Sequence, residues 1–300
     1  MSNPSGPVVC VSYLALAELW SIPQFPRANH GAEIRNIEWS VAADGPMTAA
    51  ALASMGAPVH LIANDIGTEE QGRFVAEWLG ERDVQSTFVA RQEVRTPRIV
   101  VTADDDHTRT WFAHLPEVVG SLERADLSPI TGASFLYVDC YELIERTAVR
   151  VIEAGRTAEV SMLLNLGGSK LSEHVKRALD GYDNLHIQTN VDDVDHKRAP
   201  ALAASLLNET GAAWVIVTAG SFGAVAVSES EDVAVLAFPV EARHTHCAGA
   251  AFSAGVLYGL RAGWSMERSM VLGSASGALR CARYQSAPLP SLGELQRFAC

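Results

Sequence analysis

The sequence predicts an α/β fold: a doubly wound, mostly parallel sheet flanked by helices, with a small β-strand lid. Three observations carry this. Short, nearly continuous runs of β-branched and aliphatic residues recur along the chain. Helix-period segments separate them, and two stretches break the rhythm by alternating polar and apolar residues. Continuous apolar strands are buried on both faces, as parallel strands covered by helices are. Strands of period two have one wet face, so they belong in a separate layer.

Taken in order, the first strand is VVCVSYL (8–14), and the alternation of EIRNIEWSV (33–41) assigns that segment to the lid. A helix over 46–55 precedes the strand APVHLIA (57–63), and another covers 68–81. TPRIVVTADDDHTRTWF (96–112) reads as a second lid element, a hairpin turning at Asp104–His107. The strands SFLYVDC (134–140), VSMLLNL (160–166), LHIQT (185–189) and AWVIVTA (213–219) then alternate with helices over 142–155, 170–180 and 197–210. GAVAVSESEDVAVLAF (223–238) reads as a hairpin, and helices follow over 248–262, 266–281 and after Pro290. Residues 1–300 read as one unit, with lid strands from about 13–41 and 93–115.

Composition excludes several function classes. An apolar fraction of 48% against 19% charged residues is that of a folded chain, not a disordered one. The net charge of −12 repels phosphate backbones, which argues against a nucleic-acid partner. No apolar stretch approaches bilayer length and the N-terminus lacks a basic n-region, so neither a membrane span nor a signal peptide is expected. The five cysteines (Cys10, Cys140, Cys247, Cys281, Cys300) are odd in number, scattered and without CxxC spacing. They predict a reducing cytoplasm, not a disulfide framework or a zinc site.

Two segments carry chemistry. In VTAGSFGAVAV (217–227) a strand ends in two glycines three apart, where backbone can approach a ligand closely. Alone, such a turn is more often only a turn. In HTHCAGAAFSAGVLYGLRAG (244–263) small residues lead into a helix, whose N-terminus offers unpaired N–H groups and the positive end of its dipole to an anion. Tight helix packing would use the same small residues.

Together these segments resemble the PfkB family of ATP-dependent sugar and nucleoside kinases, with its ribokinase-like fold. AADGPMTAAALASMGA (42–57) and LIANDIGTEEQGRFVAEWL (61–79) are similar to the family's Gly-Gly-x-x-x-Asn and Gly-Asn-Asp-x-x-Gly segments. TPRIVV and TRTWF resemble its substrate-covering strands, and NLGGS (165–169) and QTNVDD (188–193) its strand-end loops. VTAGSFGA (217–224) resembles Thr-x-Gly-x-x-Gly, and HTHCAGAAFSAG (244–255) the signature Asp-Thr-x-Gly-Ala-Gly-Asp. The resemblance implies ATP and Mg²⁺, a sugar-like or nucleoside-like acceptor, and a homodimer through the lid.

It also implies site residues, several of them changed. The catalytic tetrapeptide becomes Cys247-Ala248-Gly249-Ala250, so the family's base is Ala250, which accepts no proton. The leading Asp becomes His244. The acceptor side becomes Ala42, Ala43 and Met47, and the Asp expected at the end of the first strand falls at or near Ala17, beside Glu18. The nucleotide side keeps Thr218, Gly220 and Gly223, with Asn190 and Asp193 as the metal-organising pair. Asn190 and Asp193 also suit a plain helix N-terminus. His244 and His246 are the nearest substitute bases, although a loop histidine more often fills space. Cys247 is reactive if exposed and inert if buried. Asp104, Asp105 and Asp106 read as a solvated hairpin tip, and Trp20, Trp39 and Trp111 as lid packing. A first helical turn at a ligand cleft is expected to face open space, so a carboxylate at position 250 should be tolerated. Two functions follow: a divergent kinase, or a catalytically inactive relative that binds a metabolite or a regulatory partner.

Overall fold

The structure, a computed structural model, describes residues 5–105 and 108–300. The chain begins with β1 (Val8–Val11), β2 (Ala15–Ser21) and β3 (Asn36–Ala42). Helix α1 (Asp44–Ser54) leads to β4 (Val59–Ile62), the short β5 (Ile66–Gly67), α2 (Glu70–Gly80), β6 (Gln85–Ser86) and β7 (Ala90–Arg91). The hairpin β8 (Arg98–Ala103) and β9 (Arg109–His114) precedes α3 (Val118–Glu123). Alternation then runs through β10 (Phe135–Asp139), α4 (Glu145–Thr157), β11 (Met162–Asn165), α5 (Glu173–Leu179), β12 (Leu185–Asn190), α6 (Ala199–Thr210) and β13 (Trp214–Thr218). The hairpin β14 (Ala224–Val227) and β15 (Asp232–Val235) and the helices α7 (Ala248–Arg261), α8 (Met266–Ala282) and α9 (Leu292–Phe298) complete the chain.

Among the described residues the central sheet has nine strands in the order β15-β14-β13-β12-β11-β10-β1-β4-β6. Strands β13 to β6 pair in parallel, and β14 and β15 add an antiparallel edge. The apolar runs explain the layering. In β1, β10 and β11 every residue is buried, because helices cover both faces. One core joins the sheet to α1, α2, α7, α8 and α9, and the other joins it to α4, α5 and α6. No helix among the described residues is long and apolar enough to cross a membrane.

The segments of period two form a separate four-stranded sheet, β3-β2-β8-β9. Of the expected strand 8–14, only 8–11 lies in the central sheet, and 12–14 form the connection to β2. Asn64 clamps the chain at Leu14, accepting from its N–H at 2.8 Å and donating to its carbonyl at 3.0 Å. The chain therefore leaves the central sheet after β1 and enters the lid as β2. At the hairpin tip, Asp104 accepts from Thr108 N and Asp105 pairs with Arg35 at 2.8 Å, whereas Asp106 and His107 lie outside the described residues. Trp39 packs edge-on against Phe74, Trp20 is half-buried, and Trp111 is 65% exposed on the outer lid surface.

Candidate active site

Strand order reverses between β1 and β10: successive strands add outward through β4 on one side and through β11 on the other. The crevice outside the carboxyl ends of two such strands is where open α/β sheets bind ligands. Asp139 ends β10 there, fully buried. Its Oδ2 accepts from Ser12 Oγ at 2.5 Å and Gly45 N at 2.9 Å. Its Oδ1 accepts from Tyr137 OH at 2.9 Å and Asn165 Nδ2 at 2.8 Å. Gly45 has to be glycine for this approach, since a Cβ would lie 2.4 Å from Ser12 Cβ. Burial, and then the neighbouring Asp44, push the Asp139 carboxyl up to about 7.

Asp44 opens α1, where the helix dipole favours a carboxylate, and is half-buried. Its Oδ2 accepts from Tyr141 OH at 2.6 Å and from Asn165 Nδ2 at 2.9 Å. The Asn165 amide thus bridges the two carboxylates. Burial, then Asp139 and Asp44, raise the Tyr141 phenol, which keeps it a donor. Sequence reading missed this constellation. Its one signal was a carboxylate, Asp139, ending an otherwise apolar strand.

The facing wall is the N-terminus of α7. Cys247 caps it with φ 57° and ψ 29°, a left-handed conformation that favours glycine. Its thiol is buried and pushed up to about 12, by burial first and by Asp44 next, so it is inert. Ala248, Gly249 and Ala250 form the first turn; Ala248 N–H donates to Thr245 O at 3.4 Å, and the N–H groups of Gly249 and Ala250 have no intrahelical acceptor. The Ala250 side chain does not face open space. It is fully buried, and its carbonyl accepts from Thr48 Oγ1 of α1 at 3.1 Å. The expectation that a carboxylate fits at position 250 is therefore wrong, because α1 packs against that turn.

Met47 is also fully buried, in the same apolar cluster as Ala250. Two positions that are polar in the resemblance have become core. Ala42 is buried, and Ala43 sits at φ 74° and ψ 160°, a region almost reserved for glycine. Ala17 is not at the end of the first strand. It is buried in the middle of β2, opposite Ser40 and Ile99, because the Asn64 clamp ends β1 earlier.

His246 and His244 do not present free imidazoles. His246 Nε2 lies 3.0 Å from Val41 O and His244 Nε2 2.9 Å from Arg283 O. Burial, then Arg280, push them down to about 3 and about 4, so both are neutral. Arg280 itself is 2% exposed and has no ion pair among the described residues. It donates to Gln285, and its Nε is orphaned. One turn earlier on α8, a Cβ on Gly277 would come within 3.2 Å of Ala248 O, so this face of α8 lies behind the α7 N-terminus. From the lid, Arg109 donates to Thr245 O at 3.1 Å. Two arginines thus charge the loop positively in an otherwise acidic chain.

At the positions the resemblance assigns to the nucleotide, Thr218 ends β13 and its hydroxyl reaches Thr189 O at 3.4 Å. Gly223, at φ 94°, has to be glycine: a Cβ would lie 2.0 Å from Val235 O. Asp193 is committed to the loop, since its Oδ2 accepts from Ser221 Oγ at 2.5 Å and from Ser221 N at 3.3 Å, with Oδ1 in the space beside Gly220. Asn190 is exposed next to Gly168. No cluster of three metal-ligating side chains occurs among the described residues. One carboxylate and one amide suit a Mg²⁺ that arrives with phosphates and keeps its waters, not a resident ion. Beside the loop a cavity of 370 Å³ is lined by Ala219, Phe222, Leu236 and His196, whose ring stacks on Phe222 at 3.7 Å.

Solved structures share this fold over nearly the whole chain. Ribokinase from Thermotoga maritima superposes with a TM-score of 0.79 at 16% identity, covering 97% of this chain and 98% of that one. Arabidopsis thaliana ribokinase complexed with ribose and ATP gives 0.74 at 20% identity, covering 100% and 99%. Ribokinase from Cryptococcus neoformans in complex with ADP gives 0.77 at 16%, covering 98% and 99%. No curated protein matches the sequence. Residues 31–292 match the family described as pfkB family carbohydrate kinase. The match takes in the α1 loop, three of the four lid strands, the Thr218–Gly223 turn and the altered α7 turn alike, and the chain belongs to the pfkB family of carbohydrate kinases.

Proposed function

We propose that this chain is an ATP-dependent phosphotransferase that phosphorylates a hydroxyl of a small sugar-like or nucleoside-like acceptor through a rebuilt acceptor site. One observation supports it above the rest. Ala43 and Cys247, on the two facing loops, hold backbone angles suited to glycine although neither is glycine. Such strain costs about 1–3 kcal/mol per residue and persists where a loop's shape is used. The α1 and α7 loops thus keep the form of an anion cradle after their side chains have changed.

In this reading the first-turn N–H groups of Gly249 and Ala250 and the α7 dipole receive the moving phosphoryl. Arg280 and Arg109 add positive potential there. The Thr218–Gly223 turn, which the family resemblance assigns to the nucleotide, lies against it; two ribokinases of similar fold are complexed with ATP and with ADP. Asn190 and Asp193 orient the waters of a Mg²⁺ ion, which supplies charge neutralisation to the phosphates. The β3-β2-β8-β9 sheet acts as the lid of a single unit. Ile37 and Phe112, at 51% and 59% exposure on the same face of that sheet, favour a homodimer through it. The free thiols suit a cytoplasmic protein.

The second reading is a catalytically inactive metabolite-binding or regulatory relative, favoured by the burial of Ala250 and Met47 in one apolar cluster. Calorimetric titration with ATP and Mg²⁺, followed by ADP release with pentoses, hexoses and ribonucleosides, separates the two. Binding with turnover supports the kinase. Binding without turnover supports the second reading, and no binding refutes the first.

A further inference from the structure

Resting on the phosphotransferase reading, we propose that Asp44 is the catalytic base of this chain, taking over from the α1 loop what position 250 of α7 no longer supplies. Four geometric observations carry it. First, α1 and α7 both begin at the crevice, and Thr48 of α1 touches the Ala250 carbonyl in the first turn of α7. Asp44 is four residues before Thr48 on the same helix face. It therefore stands about one turn, ~5.4 Å, nearer the crevice, alongside the open end of α7.

Second, the carboxylate is half used. Oδ2 takes the Tyr141 hydroxyl and the Asn165 amide, whereas Oδ1 receives no hydrogen bond among the described residues. The two donors fix the group, and Oδ1 remains to meet a hydroxyl. Third, Asp44 is half-buried at the crevice, while Asp139 behind it is sealed off. Asp139 is thus a positioning residue: through Asn165 Nδ2 and Gly45 N it holds the start of α1 and the bridging amide in place. Fourth, the other candidates are occupied. His246, buried, and His244, half-buried, are engaged on backbone carbonyls, and the Cys247 thiol is buried.

The step balances without a further reactant. The acceptor hydroxyl gives its proton to Asp44 Oδ1, and its oxygen forms a bond to the γ-phosphorus of ATP. The bond from that phosphorus to the β,γ-bridging oxygen breaks, and its electron pair leaves on ADP. Asp44 then releases the proton to solvent.

The test compares wild type with Asp44→Asn, Asp44→Ser and Asp44→Glu, with ATP affinity measured by calorimetry and ADP release measured with pentoses, hexoses and ribonucleosides. The asparagine variant keeps an oxygen for Tyr141 and Asn165, and the serine variant removes the charge with a different shape. Expected are unchanged or tighter ATP binding and an ADP-release rate about 10²–10⁴-fold lower in both neutral variants, with glutamate retaining measurable turnover. A rate within threefold of wild type in either neutral variant overturns the proposal. So does a wild type that binds ATP but phosphorylates none of the acceptors, which leaves nucleotide binding standing. A wild type that binds no ATP overturns the phosphotransferase reading itself, and this inference with it.

Discussion

Ala43 sits at φ 74° and ψ 160° with a methyl group where glycine belongs. Replacing it by glycine removes about 1–3 kcal/mol of strain and costs about 0.4–1 kcal/mol through the freer unfolded chain. Ala43→Gly should therefore stabilise the protein by on the order of 1 kcal/mol in urea unfolding; a destabilised variant would show that the loop is not strained. Asp139 gives a pH signature. Its folded-state carboxyl is raised to about 7 by burial and by Asp44, against 3.8 for the unfolded chain. The folded state then binds the extra proton between those values, so this group's contribution to stability falls as pH rises from about 4 to 7 and is flat above. Relative to Asp139→Asn, wild type should lose stability across that window. The slope is the readout, because the offset also contains a lost bond: the single asparagine oxygen cannot replace both Oδ1 and Oδ2, so either Gly45 N or Asn165 Nδ2 loses its acceptor. A flat difference would mean that Asp139 ionises normally.

At the scale of elements, the α1–α7 contact decides what can be repaired. Ala250 and Met47 are both fully exposed to apolar neighbours and not to water, and Thr48 already occupies the Ala250 carbonyl. An aspartate at position 250 would be a buried carboxylate without a partner. Ala250→Asp should cost about 3–5 kcal/mol and restore no ADP release. A variant as stable as wild type and faster in phosphoryl transfer would show that α1 moves aside to reopen the position. Restoring Met47→Asn beside it adds a second polar group to the same cluster and should not rescue the loss.

For the whole molecule, Phe112 of β9 and Ile37 of β3 are exposed on one face of the lid, with Phe25 stacked on Phe112 at 6.5 Å, whereas Trp111, the next residue along β9, is exposed on the other face. Exposed apolar side chains grouped on one face point to association through it. Phe112→Glu places a charge on that face. Sedimentation should find wild type as a dimer and the variant shifted towards monomer, with unfolding midpoints otherwise alike. A monomeric wild type at micromolar concentration would leave the lid face without this partner. The lid is also tied to the chemistry, since Arg109 of β9 holds the Thr245 carbonyl beside the α7 turn.

The sequence by itself determined the layered α/β fold, the separate layer of period-two strands and the family. Each of these is written in local periodicity or in short motifs, where neighbours along the chain are neighbours in space. It could not assign the Asp44–Asp139–Asn165 constellation, because Ser12 and Asp139 are 127 residues apart and Asp44 and Asn165 are 121 apart. Only strand order brings them together. Nor could it tell that Ala250 and Met47 are core, that Ala17 belongs to the lid, or that both loop histidines are sealed neutral. Burial is a property of what packs across the chain: α1 against α7, and the Asn64 clamp that turns Leu14 out of the central sheet.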